Sequence, residues 1–180
     1  MGASLRAGVS SGIPQSALLV PVPEADDVVG RWRRRYDPVA AAGVPAHVTL
    51  IVPWLRPETI GDSDLAALDG ELSDVKAFDF ALTHVEWFDR RVLWVAPEPG
   101  ELFLGLISRL AARFGTPPWG DEFDEVIPHL TIAHAGEGVE LDGVASGAAR
   151  LLPVQCRARE VWVMVADGRR WSRRHRVTLA

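Results

Sequence analysis

Short strands separated by helices and tight turns constrain the fold of this chain more than any other feature of its sequence. Two pairs of apolar segments, 78–88 with 92–96 and 161–165 with 171–179, are each separated by only a few turn residues, which is typical of β-hairpins. Apolar residues at helical spacing indicate helices over 24–36, 62–74 and 101–114. Because hairpins join antiparallel strands, this mixture predicts an α+β fold with largely antiparallel sheet.

The remaining segments fit the same fold class. Short apolar runs predict further strands over 16–22, 46–52, 127–133 and 152–156, and the Gly-rich stretch 136–147 predicts at most a short helix. No linker or low-complexity segment divides the chain, so we expect a single domain over 16–180. Residues 1–15 are small and polar, and they predict a flexible N-terminus.

Composition excludes several classes of function. The chain has 180 residues and a net charge of −5, which argues against a broad nucleic-acid-binding face. Its one cysteine, Cys156, cannot form an internal disulfide or a cysteine-based zinc site, and its alternation with apolar neighbours predicts a core residue. No apolar run approaches the ~20 residues of a membrane span, and no signal peptide is evident. We therefore expect a soluble, cytoplasmic protein that does not contact a membrane.

One short pattern occurs twice, each time just after a proline and on a predicted strand. The two copies are His47-Val48-Thr49-Leu50 and His129-Leu130-Thr131-Ile132. Residues two apart on a strand point to the same face, so each copy presents one imidazole and one hydroxyl together. If the two strands lie side by side, two imidazoles and two hydroxyls surround one cavity.

That set of groups suits the cleavage of a phosphodiester. In-line attack needs a base for the nucleophile and an acid for the departing oxygen, and two histidines can hold opposite protonation states near neutral pH. The threonine hydroxyls can donate to the non-bridging phosphate oxygens, so Thr49 and Thr131 are predicted to bind phosphate. The imidazolium supplies the positive charge, so we expect neither a metal nor a cofactor. The sequence does not assign the acid and base roles to His47 and His129.

The paired motifs resemble those of the 2H phosphoesterase superfamily, in particular the bacterial 2′-5′ RNA ligase and cyclic phosphodiesterase family. The resemblance implies a bilobal α+β fold with two mainly antiparallel sheets, helices outside, pseudo-two-fold symmetry and a catalytic groove between the lobes. It also implies metal-independent opening of 2′,3′-cyclic phosphates, on a nucleotide or an RNA terminus, to 2′-phosphates. ADP-ribose 1″,2″-cyclic phosphate is a further substrate that it implies.

Other functions remain open from the sequence. The chain could be a 2′-5′ RNA ligase, a 2′-5′ oligonucleotide phosphodiesterase, or a non-catalytic module that binds a nucleotide or an RNA end. In each case the expected partner is a small cyclic nucleotide or an RNA terminus, and the protein is expected to be a monomer.

Three aromatic residues near the motifs are candidates for stacking on a nucleobase. Trp54 follows the first motif, and Trp119 and Phe123 lie in the loop before the second. His134 is expected to face away from the site, since it lies five residues after His129 on a continuous strand. Arg33 to Arg35 are interpreted as the polar end of a helix.

Overall fold

The structure is a computed structural model that describes residues 15–117, 126–136 and 139–180. Apart from Gln15, the expected flexible N-terminus lies outside this part of the chain. The structure confirms the α+β class, with eight strands and five α-helices in the described residues. The strands are β1 (Gln15–Pro21), β2 (His47–Ile51), β3 (Phe78–Phe88), β4 (Val92–Glu98), β5 (Leu130–His134), β6 (Val154–Ala158), β7 (Glu160–Ala166) and β8 (Trp171–Thr178). The helices are α1 (Pro23–Tyr36), α2 (Pro38–Ala41), α3 (Asp62–Leu72), α4 (Glu101–Phe114) and α5 (Asp142–Ala149), with a short 3-10 turn at Pro57–Thr59.

Local sequence signals set the ends of the main helices. α1 begins at Pro23, whose fixed φ suits the first helical position, and it ends at Tyr36 because Pro38 forces Asp37 into an extended conformation. α4 ends at Gly115, which adopts the left-handed conformation with a φ of 63°. Both helices are therefore where the apolar periodicity predicts them.

The strands form two four-stranded antiparallel sheets with corresponding orders. The first sheet has the order β2-β1-β7-β8, and the second has the order β5-β4-β3-β6. In each sheet a motif strand lies at one edge and pairs with the strand that precedes it in the chain. The matching orders give the fold the pseudo-two-fold symmetry that the family resemblance implies.

The helices that connect paired strands cross to the opposite sheet. α1, which links β1 to β2, packs on β5 and β6, and α4, which links β4 to β5, packs on β2. One continuous core lies between the sheets and these helices, with fully buried residues such as Leu18, Phe103 and Leu130. The crossing brings β2 and β5 against each other, so the two sheets meet along the motif strands.

The structure differs from the sequence prediction in two places. The second motif strand begins at Leu130 and not at Ile127, since Pro128 has no N–H to donate and Leu130 makes the first pairing, with Val95. No helix is predicted for 38–41, yet these residues form the four-residue helix α2, which Asp37 caps by accepting from the backbone N–H of Val39.

Candidate active site

The first motif alternates between the core and the site, as its sequence predicts. On β2, Val48 and Leu50 are fully buried while His47 and Thr49 are half-buried. Nδ1 of His47 lies 2.7 Å from the carbonyl oxygen of Pro45. Because a carbonyl only accepts, Nδ1 carries the proton and the neutral ring has its lone pair on Nε2.

The second motif has the same geometry. Leu130 and Ile132 are fully buried, and His129 and Thr131 are half-buried. Nδ1 of His129 lies 2.7 Å from the carbonyl oxygen of Ile127, two residues back, which fixes the same tautomer as in His47. His129 lies one residue before β5 rather than on it, yet this hydrogen bond orients its ring in the same way.

Burial sets the protonation of both imidazoles. The pKa of His47 is lowered to about 4, mainly because burial penalises the charged form and secondly because the Arg33 guanidinium is close. The charge of His129 adds to this lowering, as expected if the two rings face one site. Burial also lowers the pKa of His129, and the charge of His134 lowers it further. Both histidines are therefore neutral bases in the unliganded protein at neutral pH.

A buried ion pair lies beside the second motif strand. Arg33 is on α1, and Asp37 directly follows this helix. Nη2 of Arg33 lies 2.7 Å from Oδ2 of Asp37, and each side chain is only 2% exposed. Nε of Arg33 donates to the carbonyl oxygen of Thr131 at 3.0 Å, which ties α1 to the second motif strand. Arg33 lies in the basic last turn of α1, as interpreted from the sequence, but unlike Arg34 and Arg35 its side chain is buried. Its spacing of four residues from Asp37 was the available signal, but nothing local points to Thr131.

His134 is closer to the site than its sequence position suggests. Its Nε2 lies 3.8 Å from Oδ1 of Asp37, and its charge lowers the pKa of His129. The pairing between β4 and β5 is irregular next to Trp94, since Trp94 pairs with Thr131 and Leu93 pairs with Ala133. This irregularity breaks the simple alternation on which the sequence argument relied.

Two aromatic residues that the sequence argument did not select contact His129. The Phe88 ring meets the imidazole edge-on with centroids 4.9 Å apart, and the Trp94 centroid lies at 5.8 Å. Phe88 and Trp94 also stack on each other at 4.8 Å. These rings flank the second imidazole on the face that carries Thr131, and the pairing of β3 with β4 brings them together there.

The structure tests one of the three aromatic residues that were predicted to stack on a nucleobase. Trp54 is only 4% exposed and packs edge-on against Phe114, so it is a core residue that offers no face to a base. Trp119 and Phe123 lie outside the described residues, and their role stays a prediction.

Two further expectations concern metals and membranes. Within 15–117, 126–136 and 139–180, no group of three or more His, Cys, Asp or Glu residues is placed to hold a metal ion. No helix in those ranges has the length and apolar character needed to cross a membrane. Cys156 is buried in the core, as predicted, and burial raises its thiol pKa to about 12.

The bilobal α+β fold and the paired motifs are those of the two-histidine phosphoesterase class. The chain belongs to the 2′-5′ RNA ligase superfamily, whose sequence profile matches residues 21–170. A search of curated proteins by sequence gave no significant match.

Solved structures show the same fold at low sequence identity. LigT of E. coli in complex with 3′-AMP superimposes with a TM-score of 0.63 and 23% identity, covering 93% of this chain and 99% of LigT. TT0787 of Thermus thermophilus gives a TM-score of 0.63 and 17% identity, covering 92% of this chain and 97% of TT0787. The complex of LigT with NADP+ gives a TM-score of 0.58 at 22% identity, covering 93% of this chain and 99% of LigT.

Proposed function

We propose that this protein is a metal-independent phosphodiesterase that opens 2′,3′-cyclic phosphates to 2′-phosphates by acid/base catalysis with His47 and His129. One observation carries the proposal. Both imidazoles donate Nδ1–H to the carbonyl two residues back at 2.7 Å, and so both turn the same nitrogen, Nε2, to the reaction. Matched tautomers are what a base and an acid on opposite sides of one phosphorus need.

The reaction adds one water molecule across one P–O bond. One neutral imidazole takes a proton from water as the water oxygen forms its bond to phosphorus. The bond from phosphorus to the 3′-oxygen breaks, and the other imidazole, protonated, gives its proton to that oxygen. The product is a 2′-phosphate with a free 3′-hydroxyl. Thr49 and Thr131 donate to the non-bridging oxygens, where negative charge is held during the displacement.

Ligands of related structures support a nucleotide substrate. LigT of E. coli has been crystallised with 3′-AMP, NADP+, ATP and phosphate. All four carry phosphate, and three carry a nucleoside. A site built from two imidazoles and two hydroxyls matches one phosphate at a time, so we propose a cyclic nucleotide or a single RNA terminus as the substrate.

The experiment incubates the purified protein with 2′,3′-cyclic AMP in EDTA and follows 2′-AMP by chromatography. We expect turnover in the presence of EDTA, and a loss of at least roughly 100-fold in kcat for His47→Ala and for His129→Ala. His175→Ala is the matched control, because this histidine is bonded to Asp69 on α3 and belongs to neither motif. Full activity of the His47→Ala/His129→Ala double variant contradicts the proposal.

A substrate panel separates this function from its alternatives. A 2′-5′-linked diadenylate tests the oligonucleotide phosphodiesterase, and an RNA 2′,3′-cyclic phosphate with a 5′-hydroxyl RNA tests ligation. Saturable binding of 2′,3′-cyclic AMP with the ligand recovered unchanged identifies a binding module instead.

A further inference from the structure

The face of the first sheet that carries His47 and Thr49 continues to an aromatic residue two strands away. Thr49 pairs with Leu19, Leu19 pairs with Trp162, and Trp162 pairs with Arg176. Directly paired residues of antiparallel strands project from the same face, so these four side chains form one row across the sheet. With neighbouring strands about 4.8 Å apart, Trp162 lies about 10 Å from Thr49.

Trp162 is held as a flat and partly accessible surface. Its side chain is half-buried, and its indole Nε1 donates to Glu160 at 2.6 Å. Glu160 also pairs with Arg176 at 3.4 Å. The Arg173 guanidinium stacks over the indole, with Cζ 4.4 Å from the ring centroid, and Arg173 is exposed. The result is a pre-oriented stack of an indole and a planar cation.

The corresponding row of the second sheet ends in a carboxylate. There Thr131 pairs with Trp94, and Trp94 pairs with Glu86, so a carboxylate takes the place of Trp162. His84 lies 3.7 Å from Glu86 and 3.4 Å from Glu98, and both carboxylates are about half exposed. An anionic nucleotide bound at the motifs is therefore favoured on the first sheet and repelled by the second.

We propose that the Trp162–Arg173 stack binds the nucleobase of a nucleotide whose phosphate lies between His47 and His129. Bases stack on aromatic rings and on guanidinium planes alike, so this surface accepts any base without reading its edge. The proposal rests on the proposed function for the position of the phosphate. It adds that the nucleoside extends from Thr49 towards β7, above the groups that cover the buried Leu19, with Glu160 as the residue that positions the indole.

Binding of products tests the proposal without requiring turnover. Isothermal titration with 2′-AMP and with inorganic phosphate is done on the wild type, Trp162→Ala and Trp162→Phe. We expect Trp162→Ala to weaken 2′-AMP binding roughly tenfold relative to phosphate binding, and Trp162→Phe to retain most of the affinity. Arg173→Lys, which keeps the charge but loses the plane, is expected to weaken 2′-AMP relative to phosphate as well.

Trp87 provides a matched control. Arg90 lies over the Trp87 ring at 4.8 Å, but Trp87 pairs with Leu93 and packs against the core face of its sheet. Trp87→Ala is expected to leave the ratio of the two affinities unchanged. Circular dichroism and thermal unfolding establish that each variant is folded.

The outcomes separate this proposal from the proposed function. Wild-type affinity for 2′-AMP in Trp162→Ala overturns the stacking site, and so does an equal loss for 2′-AMP and phosphate. An equal effect of Trp87→Ala also overturns it. If the wild type turns over no cyclic phosphate but Trp162→Ala still selectively weakens 2′-AMP binding, the proposed function fails and the stacking site stands.

Where turnover is observed, the ratio of kcat/KM for 2′,3′-cyclic AMP over glycerol 1,2-cyclic phosphate, which lacks a base, falls about tenfold in Trp162→Ala.

Discussion

Arg33 and Asp37 form an ion pair of 2.7 Å in which both side chains are 2% exposed, beside the second motif strand. The pair also binds the backbone on each side: Arg33 donates to the Thr131 carbonyl, and Asp37 accepts from the Val39 amide. A buried pair with these extra hydrogen bonds fixes the position of β5 against α1. Burial is the main cause of the lowered pKa of His47; the Arg33 charge lowers it further, and the Asp37 charge opposes this.

Breaking this pair is expected to destabilise the fold. Asp37→Asn leaves the Arg33 charge buried without its partner, and a loss of about 3–5 kcal/mol in the free energy of unfolding is expected by urea denaturation. The double variant Arg33→Met/Asp37→Leu removes both charges. It is expected to lower the free energy of unfolding by less than Arg33→Met or Asp37→Leu alone. Arg90→Ala is the control, because Arg90 and Asp142 are 70% and 66% exposed and their pair contributes less than about 1 kcal/mol. Additive losses in the double variant would show that the two charges do not interact.

The pH dependence of the proposed reaction follows from the lowered pKa values of both histidines. A lowered pKa means that the protonated imidazole persists only at more acidic pH. The rate on the alkaline side of the profile is therefore expected to fall at a lower pH than it would with two histidines of ordinary pKa. The kcat/KM profile, which reports the free protein, is expected to be bell-shaped with its maximum below about pH 6.5. Rates on 2′,3′-cyclic AMP between about pH 4 and 9 measure it. A maximum above about pH 7 is inconsistent with these shifts.

His47 is also expected to make stability depend on pH. Its pKa is about 4 in the folded protein and near 6.5 when unfolded, so the unfolded chain binds more protons between these values. The stability that the neutral ring contributes is complete above pH 6.5 and is lost as pH falls toward about 4. His47→Gln is therefore expected to unfold with a shallower dependence on pH over this window than the wild type. An unchanged slope in His47→Gln contradicts this expectation.

The hydroxyls of the motifs are expected to matter for rate more than for folding. Thr49→Val and Thr131→Val keep the shape and the strand propensity of the side chain but remove the donor to phosphate. Each is expected to lower kcat on 2′,3′-cyclic AMP by about 10²-fold, as for loss of one oxyanion donor. Thr178→Val, on the exposed side of β8, tests whether the substitution itself is harmful. Wild-type kcat in both motif variants would remove the threonines from the proposed mechanism.

Gly147 is required by packing. A Cβ at this position on α5 would lie 2.7 Å from Cζ2 of Trp32 on α1, closer than real contacts allow. Gly147→Ala is expected to destabilise the protein by about 1–3 kcal/mol despite the better helix propensity of alanine. Gly105→Ala on α4 is the control, since its Cβ would meet nothing within 4 Å and should stabilise by up to about 1 kcal/mol. Thermal or urea unfolding of the two variants measures the difference.

Patterns between nearby residues determined much of the fold and the site before any tertiary information. Alternation over His47 to Leu50 and over Leu130 to Ile132 correctly separates the site face from the core, because side-chain direction on a strand depends only on the local backbone. The end of α1 before Pro38 and the end of α4 at Gly115 are likewise determined by the backbone angles that proline and glycine allow. The repetition of the motif suggested one shared site only on the condition that the two strands lie side by side, and the structure meets this condition by bringing β2 against β5.

Contacts between distant segments decided the rest. Trp54 is close to a motif in sequence, yet it is buried against Phe114, whereas Trp162 is far away in sequence and shares the face of Thr49. The role of Arg33 depends on a carbonyl that lies 98 residues further along the chain. Sequence alone determined which residues each strand presents, since that is local geometry. The structure decided which strands are neighbours, because burying the apolar faces of both sheets is a property of the whole chain.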